Sequence, residues 1–151
     1  RAAERAASFV RERLTRPDGR LFVRWRGGEA AGTGYLDDYA YTAWAMLYLY
    51  EATFDVAYLE TAVLHAETMC AEFEDRENGG YFLYASDSEP LMLRPKQTYD
   101  GALPSGNAVA AYVLAHRLVV STELEDETGL RANIIAAAVR DVRYRRSVRP
   151  V

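Results

Sequence analysis

GYLDDYAYTAWAMLYLYE, residues Gly34 to Glu51, decides how this chain is read. From Leu36 to Glu51 the only polar residues are Asp37, Asp38, Thr42 and Glu51, tyrosine hydroxyls aside. A helix that is apolar on every side must be covered on every side. The run AVAAYVLA, Ala108 to Ala115, repeats the pattern with no charge at all. Two other segments differ. Ala2 to Leu14 sets Ala6, Phe9, Val10 and Leu14 against Arg5, Glu12 and Arg13, and Val56 to Glu74 sets Leu59, Ala62, Ala66, Cys70 and Phe73 against Glu60, Thr61, Glu67 and Glu72. One-sided stripes belong to helices that face water. The chain therefore alternates outer, inner, outer, inner.

The connections repeat as well. DGRLFVRW, Asp18 to Trp25, follows the first outer helix, and ENGGYFLYA, Glu77 to Ala85, follows the second. A glycine turn followed by aromatic or alternating residues predicts a short strand in each. Phe22 and Phe82 correspond, as do Leu36 and Leu103. The repeating unit is outer helix, turn, short strand, loop, inner helix. Such units stack, because one alone cannot cover its apolar faces, and at least three are usually needed. The reading is a single all-α domain over residues 1–151, part of an α/α toroid, with short β pieces in the connectors. Its units span about 1–53 and 54–120, and an open solenoid is the alternative. The tail, 121–151, holds the acidic turn TELEDETG and a further helix over Ala132 to Tyr144.

Composition narrows the function. The 151 residues carry a net charge of −4, which gives no case for nucleic acid as a partner. The arginine-rich stretch Arg140 to Pro150 reads as a solvated helix end. No run reaches the length of a membrane span. A single cysteine, Cys70, on an apolar stripe reads as an inert thiol in a reducing, cytoplasmic setting. His65 and His116 stand far apart in sequence, so no metal or cofactor is expected.

Chemistry concentrates where the inner helices begin. Tyr35, Asp37, Asp38 and Tyr39 form one group; Arg94, Lys96, Tyr99, Asp100, Ser105 and Asn107 form the other. Either aspartate of the first pair can cap a helix, but two adjacent caps are redundant. Ser105 suits an N-cap, and Asn107 can close a turn. Carboxylates beside aromatic rings in an apolar pore suit a sugar: rings stack on C–H faces while Asp and Asn bridge hydroxyls. Asp37, Asp38 and Asp100 are the acid/base candidates, and Tyr35, Tyr39, Lys96, Tyr99, Ser105 and Asn107 the substrate-binding ones.

The motifs LDDYA, LYEATFD, NGGYF and RPKQTYDGALPSGN together resemble the spermatogenesis-associated protein 20 family, the bacterial YyaL type, from about Ala2 to Leu118. Members carry a thioredoxin-like domain followed by an α/α toroid similar to six-hairpin glycosidases and N-acylglucosamine 2-epimerases. The resemblance implies that fold and an association with carbohydrate metabolism, glycosidase-like or epimerase-like if catalytic, with a sugar as ligand. It also implies the rest of the toroid and a thioredoxin-like domain as partners in the full-length protein. A non-catalytic module that docks the thioredoxin-like domain is the competing expectation. The epimerases' pore histidines have no counterpart in His65 or His116, and the segment beyond Val120 departs from the family pattern.

Overall fold

The computed structural model of the chain describes residues 1–88 and 93–123. It is mostly helical with one two-stranded sheet. Helix α1 spans Ala2–Phe9 and continues as a wide, π-type turn over Val10–Leu14. Strands β1, Phe22–Arg26, and β2, Glu29–Thr33, pair antiparallel with Phe22 opposite Thr33 and Arg26 opposite Glu29. Helix α2 covers Leu36–Thr53, and α3 covers Val56–Thr68 with a second π-type turn over Met69–Phe73. Helix α4 runs Gly106–Glu123. The four helices anticipated from periodicity are thus present over the described residues; the helix expected at Ala132 to Tyr144 and the arginine tail lie outside them.

The repeat is visible in backbone detail. Each outer helix ends in the same five-residue π-type turn. A lone bridge follows, Thr15 with Leu21 in the first unit and Glu74 with Tyr81 in the second. The turns between close alike: Arg16 N–H donates to the Arg20 carbonyl (2.7 Å), and Asp75 N–H to the Gly80 carbonyl (2.8 Å). Beyond the bridge the units diverge. The first connector builds the β1–β2 hairpin around Gly27 and Gly28, both at positive φ (61° and 89°), as a tight two-residue turn demands. The second strand, hidden in a Gly-rich stretch, was not anticipated. The second connector, expected to hold a strand at ENGGYFLYA, shows only the bridge among the described residues. There Leu83 N–H donates to the Pro95 carbonyl (2.8 Å). Proline has no N–H to return, so a ladder cannot propagate.

Helices α2 and α3 form an antiparallel hairpin. Phe54, in the left-handed region (φ 57°), ends α2, and Asp55 caps α3 by accepting the Ala57 N–H (3.0 Å). The Tyr39 ring near the start of α2 packs against Phe73 just past α3, at 5.3 Å. Helix α4 runs parallel to α2, because successive contacts climb both helices together: Tyr41 with Pro104, Tyr48 with Tyr112, Glu51 with His116. The core lies between these three helices, built on Leu36, Tyr39, Met46, Leu47, Met69, Phe73, Val113 and Leu114. Cys70 is half-buried at its edge, its Sγ 3.8 Å from the Tyr81 hydroxyl. Helix α1 buries only Ala7. Its apolar side opens with α2 onto a groove of about 620 Å³ lined by Ala3, Ala6, Val10, Ala45, Leu49 and Ala52, among others.

Candidate functional site

The starts of α2 and α4 meet, and the candidate residues divide there by task. Asp38 serves its own helix: its Oδ2 accepts the Tyr35 N–H (2.8 Å), satisfying a donor that the first turn leaves free. Asp37 points elsewhere. Its carboxylate lies against Gly106, where a β-carbon would collide with Oδ1, so any larger residue there would force the Asp37 carboxylate to move. That Oδ1 is buried with no hydrogen-bond partner among the described residues. Desolvation raises the pKa of Asp37 from its ordinary value.

Asp100 comes to the same place from the second connector. Its Oδ1 accepts the Ser105 N–H (2.8 Å), and the Ser105 hydroxyl accepts the Ala108 N–H (3.2 Å) as the N-cap of α4. Tyr41 joins the two acids: its hydroxyl donates to the Pro104 carbonyl (2.7 Å). The Tyr41 phenol is pushed up, first by desolvation and then by the charges of Asp37 and Asp100. Asp37, Tyr41, Asp100 and Ser105 thus form one cluster at the convergent helix starts.

The other candidates hold the scaffold. Tyr39 is fully buried, and its hydroxyl accepts the Leu21 N–H (2.9 Å) just past the first bridge. Asn107 occupies the equivalent place in the second unit: its Oδ1 accepts the Tyr81 N–H (2.8 Å), and its Nδ2 donates to the carbonyls of Tyr81 and Gln97 (both 2.9 Å). Each inner helix therefore pins its connector through one polar side chain. Lys96 pairs with Asp75 (2.5 Å), donates to the Gly79 carbonyl (2.7 Å) and lies over the Phe82 ring. That ion pair, with the N–H groups of Glu77 and Asn78, holds the Asp75 carboxyl well below its usual range. Arg94 likewise turns inward, to the carbonyls of Tyr84 and Glu72. Tyr35 meets Tyr84 edge-on at 5.3 Å beside the cluster, and Tyr99 is 87% exposed.

No family model matches the chain. Over 82 residues it is 42% identical to spermatogenesis-associated protein 20 of Homo sapiens, 40% to that of Mus musculus and 39% to that of Rattus norvegicus. Over that stretch the chain is similar to spermatogenesis-associated protein 20. Each match covers 54% of this chain and 10% of the relative, so the chain spans about a tenth of the proteins it matches.

The sequence reading passed over Tyr41, Trp44, Tyr48 and Glu51, which extend the face of α2 that begins at Asp37. Asp37, Tyr41, Trp44, Tyr48 and Glu51 recur every three or four positions and therefore share one face of α2. Trp44 packs on Tyr41, Tyr48 and the Tyr112 ring of α4, with centroids 6.0, 5.9 and 5.5 Å away. Below them His116 Nε2 stands 3.0 Å from Glu51 Oε1. The signal was the spacing itself, obscured because the remaining positions are also apolar. Among the described residues no group of acids, histidines and cysteines is arranged to hold a metal ion, and no helix is long and apolar enough to cross a membrane.

Proposed function

We propose that the chain is part of an α/α toroid whose pore mouth, at the joined starts of α2 and α4, binds a sugar. The observation that carries this reading is Asp37: a buried carboxylate oxygen without a partner among the described residues, set against Gly106 at the start of α4. An unpartnered buried acceptor is costly, and a ligand hydroxyl would satisfy it. A carboxyl with a raised pKa also suits proton donation to a glycosidic or hydroxyl oxygen. The toroid is supported by the duplicated unit, by the parallel inner helices and by the apolar groove beside α1. That groove is what the repeat leaves for a neighbouring unit's inner helix, as α4 lies against α2 and α3.

Calorimetry of the full-length protein against a panel of mono- and oligosaccharides tests the reading. At least one sugar should bind, and Asp37→Asn should weaken it by about tenfold or more, the scale of a hydrogen bond to a charged group. Asp100→Asn should weaken it too. Absence of binding across the panel, or affinity indifferent to both substitutions, would overturn the proposal.

A further inference from the structure

The turns that follow the two outer helices share a dipeptide pattern. Asp18–Gly19 in the first and Asn78–Gly79 in the second stand at the spacing of Phe22 and Phe82. Both glycines adopt positive φ, 81° and 77°. Each N–H donates back into its turn, Gly19 to the Arg16 carbonyl (2.9 Å) and Gly79 to the Asp75 carbonyl (2.8 Å). The side chains before them are held differently. The Asp18 carboxylate pairs with Arg16 (3.0 Å) and accepts the Arg20 N–H (3.0 Å). Asn78 leans on an acid instead: Asp75 Oδ1 accepts its backbone N–H (3.1 Å), and Asp75 Oδ2 accepts from its Nδ2 (3.2 Å).

An asparagine followed by glycine carries its own chemistry. Glycine has no side chain to hinder its nitrogen, so in a free chain that nitrogen attacks the asparagine Cγ. Its proton passes through solvent to Nδ2, which leaves as ammonia when the Cγ–Nδ2 bond breaks. Water then opens the cyclic imide at either carbonyl and leaves aspartate or isoaspartate; nothing is oxidised or reduced. Asn78 is exposed, so solvent reaches the bond. Ring closure, however, needs both groups that Asp75 holds. The Gly79 N–H is committed to the Asp75 carbonyl, and the Asn78 amide is tied to the Asp75 carboxylate. Lys96 secures the same turn by donating to the Gly79 carbonyl (2.7 Å) while it pairs with Asp75 (2.5 Å).

We infer that Asn78–Gly79 is a modification site, a deamidating bond that the turn around Asp75 holds shut, and that its conversion loosens the second connector. The product carboxylate stands where Nδ2 now meets Asp75 Oδ2, so a hydrogen bond becomes a repulsion between like charges. The first unit accepts an acid at this place because Arg16 pairs with it. In the second unit the corresponding Arg76 pairs with Glu74 (3.7 Å).

Peptide mapping by mass spectrometry tests this on the full-length protein, kept in mildly alkaline buffer, by following the amide-to-acid mass gain at Asn78. The folded protein should convert at least about tenfold more slowly than the same chain unfolded in urea, the factor that one retained hydrogen bond gives. Asp75→Ser, which removes the carboxylate, should speed conversion of the folded protein by about tenfold. Asn78→Asp, which installs the product, should unfold at lower urea than Asn78→Ala, which only removes the amide. No conversion in the unfolded chain, or equal rates folded and unfolded, overturns the site. A folded Asp75→Ser variant that converts at the wild-type rate overturns the guard; if that variant does not fold, the wild-type comparison decides alone. Asn78→Asp as stable as Asn78→Ala overturns the loosening.

Discussion

Asn107→Ala removes three hydrogen bonds at once: the Tyr81 N–H to Oδ1, and Nδ2 to the carbonyls of Tyr81 and Gln97. Asn107 is buried and Tyr81 is only 3% exposed, so the two backbone groups of Tyr81 lose their partner with little access to water. Gln97 is exposed, and water can replace the amide at its carbonyl. Two orphaned groups at about 1–3 kcal/mol each give an expected loss of about 2–6 kcal/mol. That is a large part of the stability of an ordinary domain. Asn107→Asp separates the parts of the effect. It keeps an acceptor for the Tyr81 N–H but sets a carboxylate against two carbonyls, so its folded-state pKa rises above the unfolded value. The folded variant then binds its proton more tightly than the unfolded chain. Its deficit is full above the folded pKa and shrinks as pH falls toward about 4, the unfolded value. Urea melts of wild type and both variants, across a pH series, measure this. An alanine variant within about 0.5 kcal/mol of wild type, well below the cost of one orphaned group, would refute the assignment of Asn107 as a clamp.

His65 offers a second pH test. It is buried on α3 with both nitrogens unpartnered among the described residues, and burial lowers its pKa from 6.5 to about 4. Between those values the unfolded chain binds the proton more tightly, so stability present above pH 6.5 is lost on the way down to about pH 4. The loss is about 3 kcal/mol. His65→Phe, which keeps a ring edge-on to Tyr39 (5.6 Å in the native pair), should flatten that slope; parallel curves for the two proteins would sink the reasoning. Tyr39→Phe orphans the Leu21 N–H and should cost about 1–3 kcal/mol in the same melts. It should leave Asp37-dependent sugar affinity unchanged, and the reverse pattern in calorimetry would return Tyr39 to the binding site.

The helices were legible because burial writes itself into composition: Leu36 to Glu51 could only be a covered helix, and α2 covers that span. The boundaries of the outer helices were legible from their stripes. Less was visible in the connectors. Glu29 to Thr33 is poor in β-branched residues, and it becomes a strand because Gly27 and Gly28 fold it back on β1. At the helix starts, the sequence grouped Asp37 with Asp38 and could not divide them. Both suit a first turn, and only the approach of Gly106 turns one of them outward. Nor could it tell that Tyr39 and Asn107 hold connectors, since their partners are backbone groups 18 and 26 residues away.

One geometric fact ties these outcomes together. Successive residues on a helix turn by about 100°, so a helix with three kinds of neighbour must carry three stripes. Along α2, Leu36, Tyr39, Ala40, Ala43, Met46 and Leu47 enter the core; Ala45, Leu49 and Ala52 face the groove beside α1; Asp37, Tyr41, Trp44, Tyr48 and Glu51 form the third, with Tyr41 and Tyr48 also bordering the groove. A single apolar stripe would have produced a strong sequence asymmetry and a surface helix. Three stripes cancel that asymmetry, and the aromatic one disappears into a helix that looks uniformly greasy. The same cancellation that marks α2 as covered on every side therefore conceals its aromatic side, and the polar residues at Asp37 and Glu51 are where that side can be read.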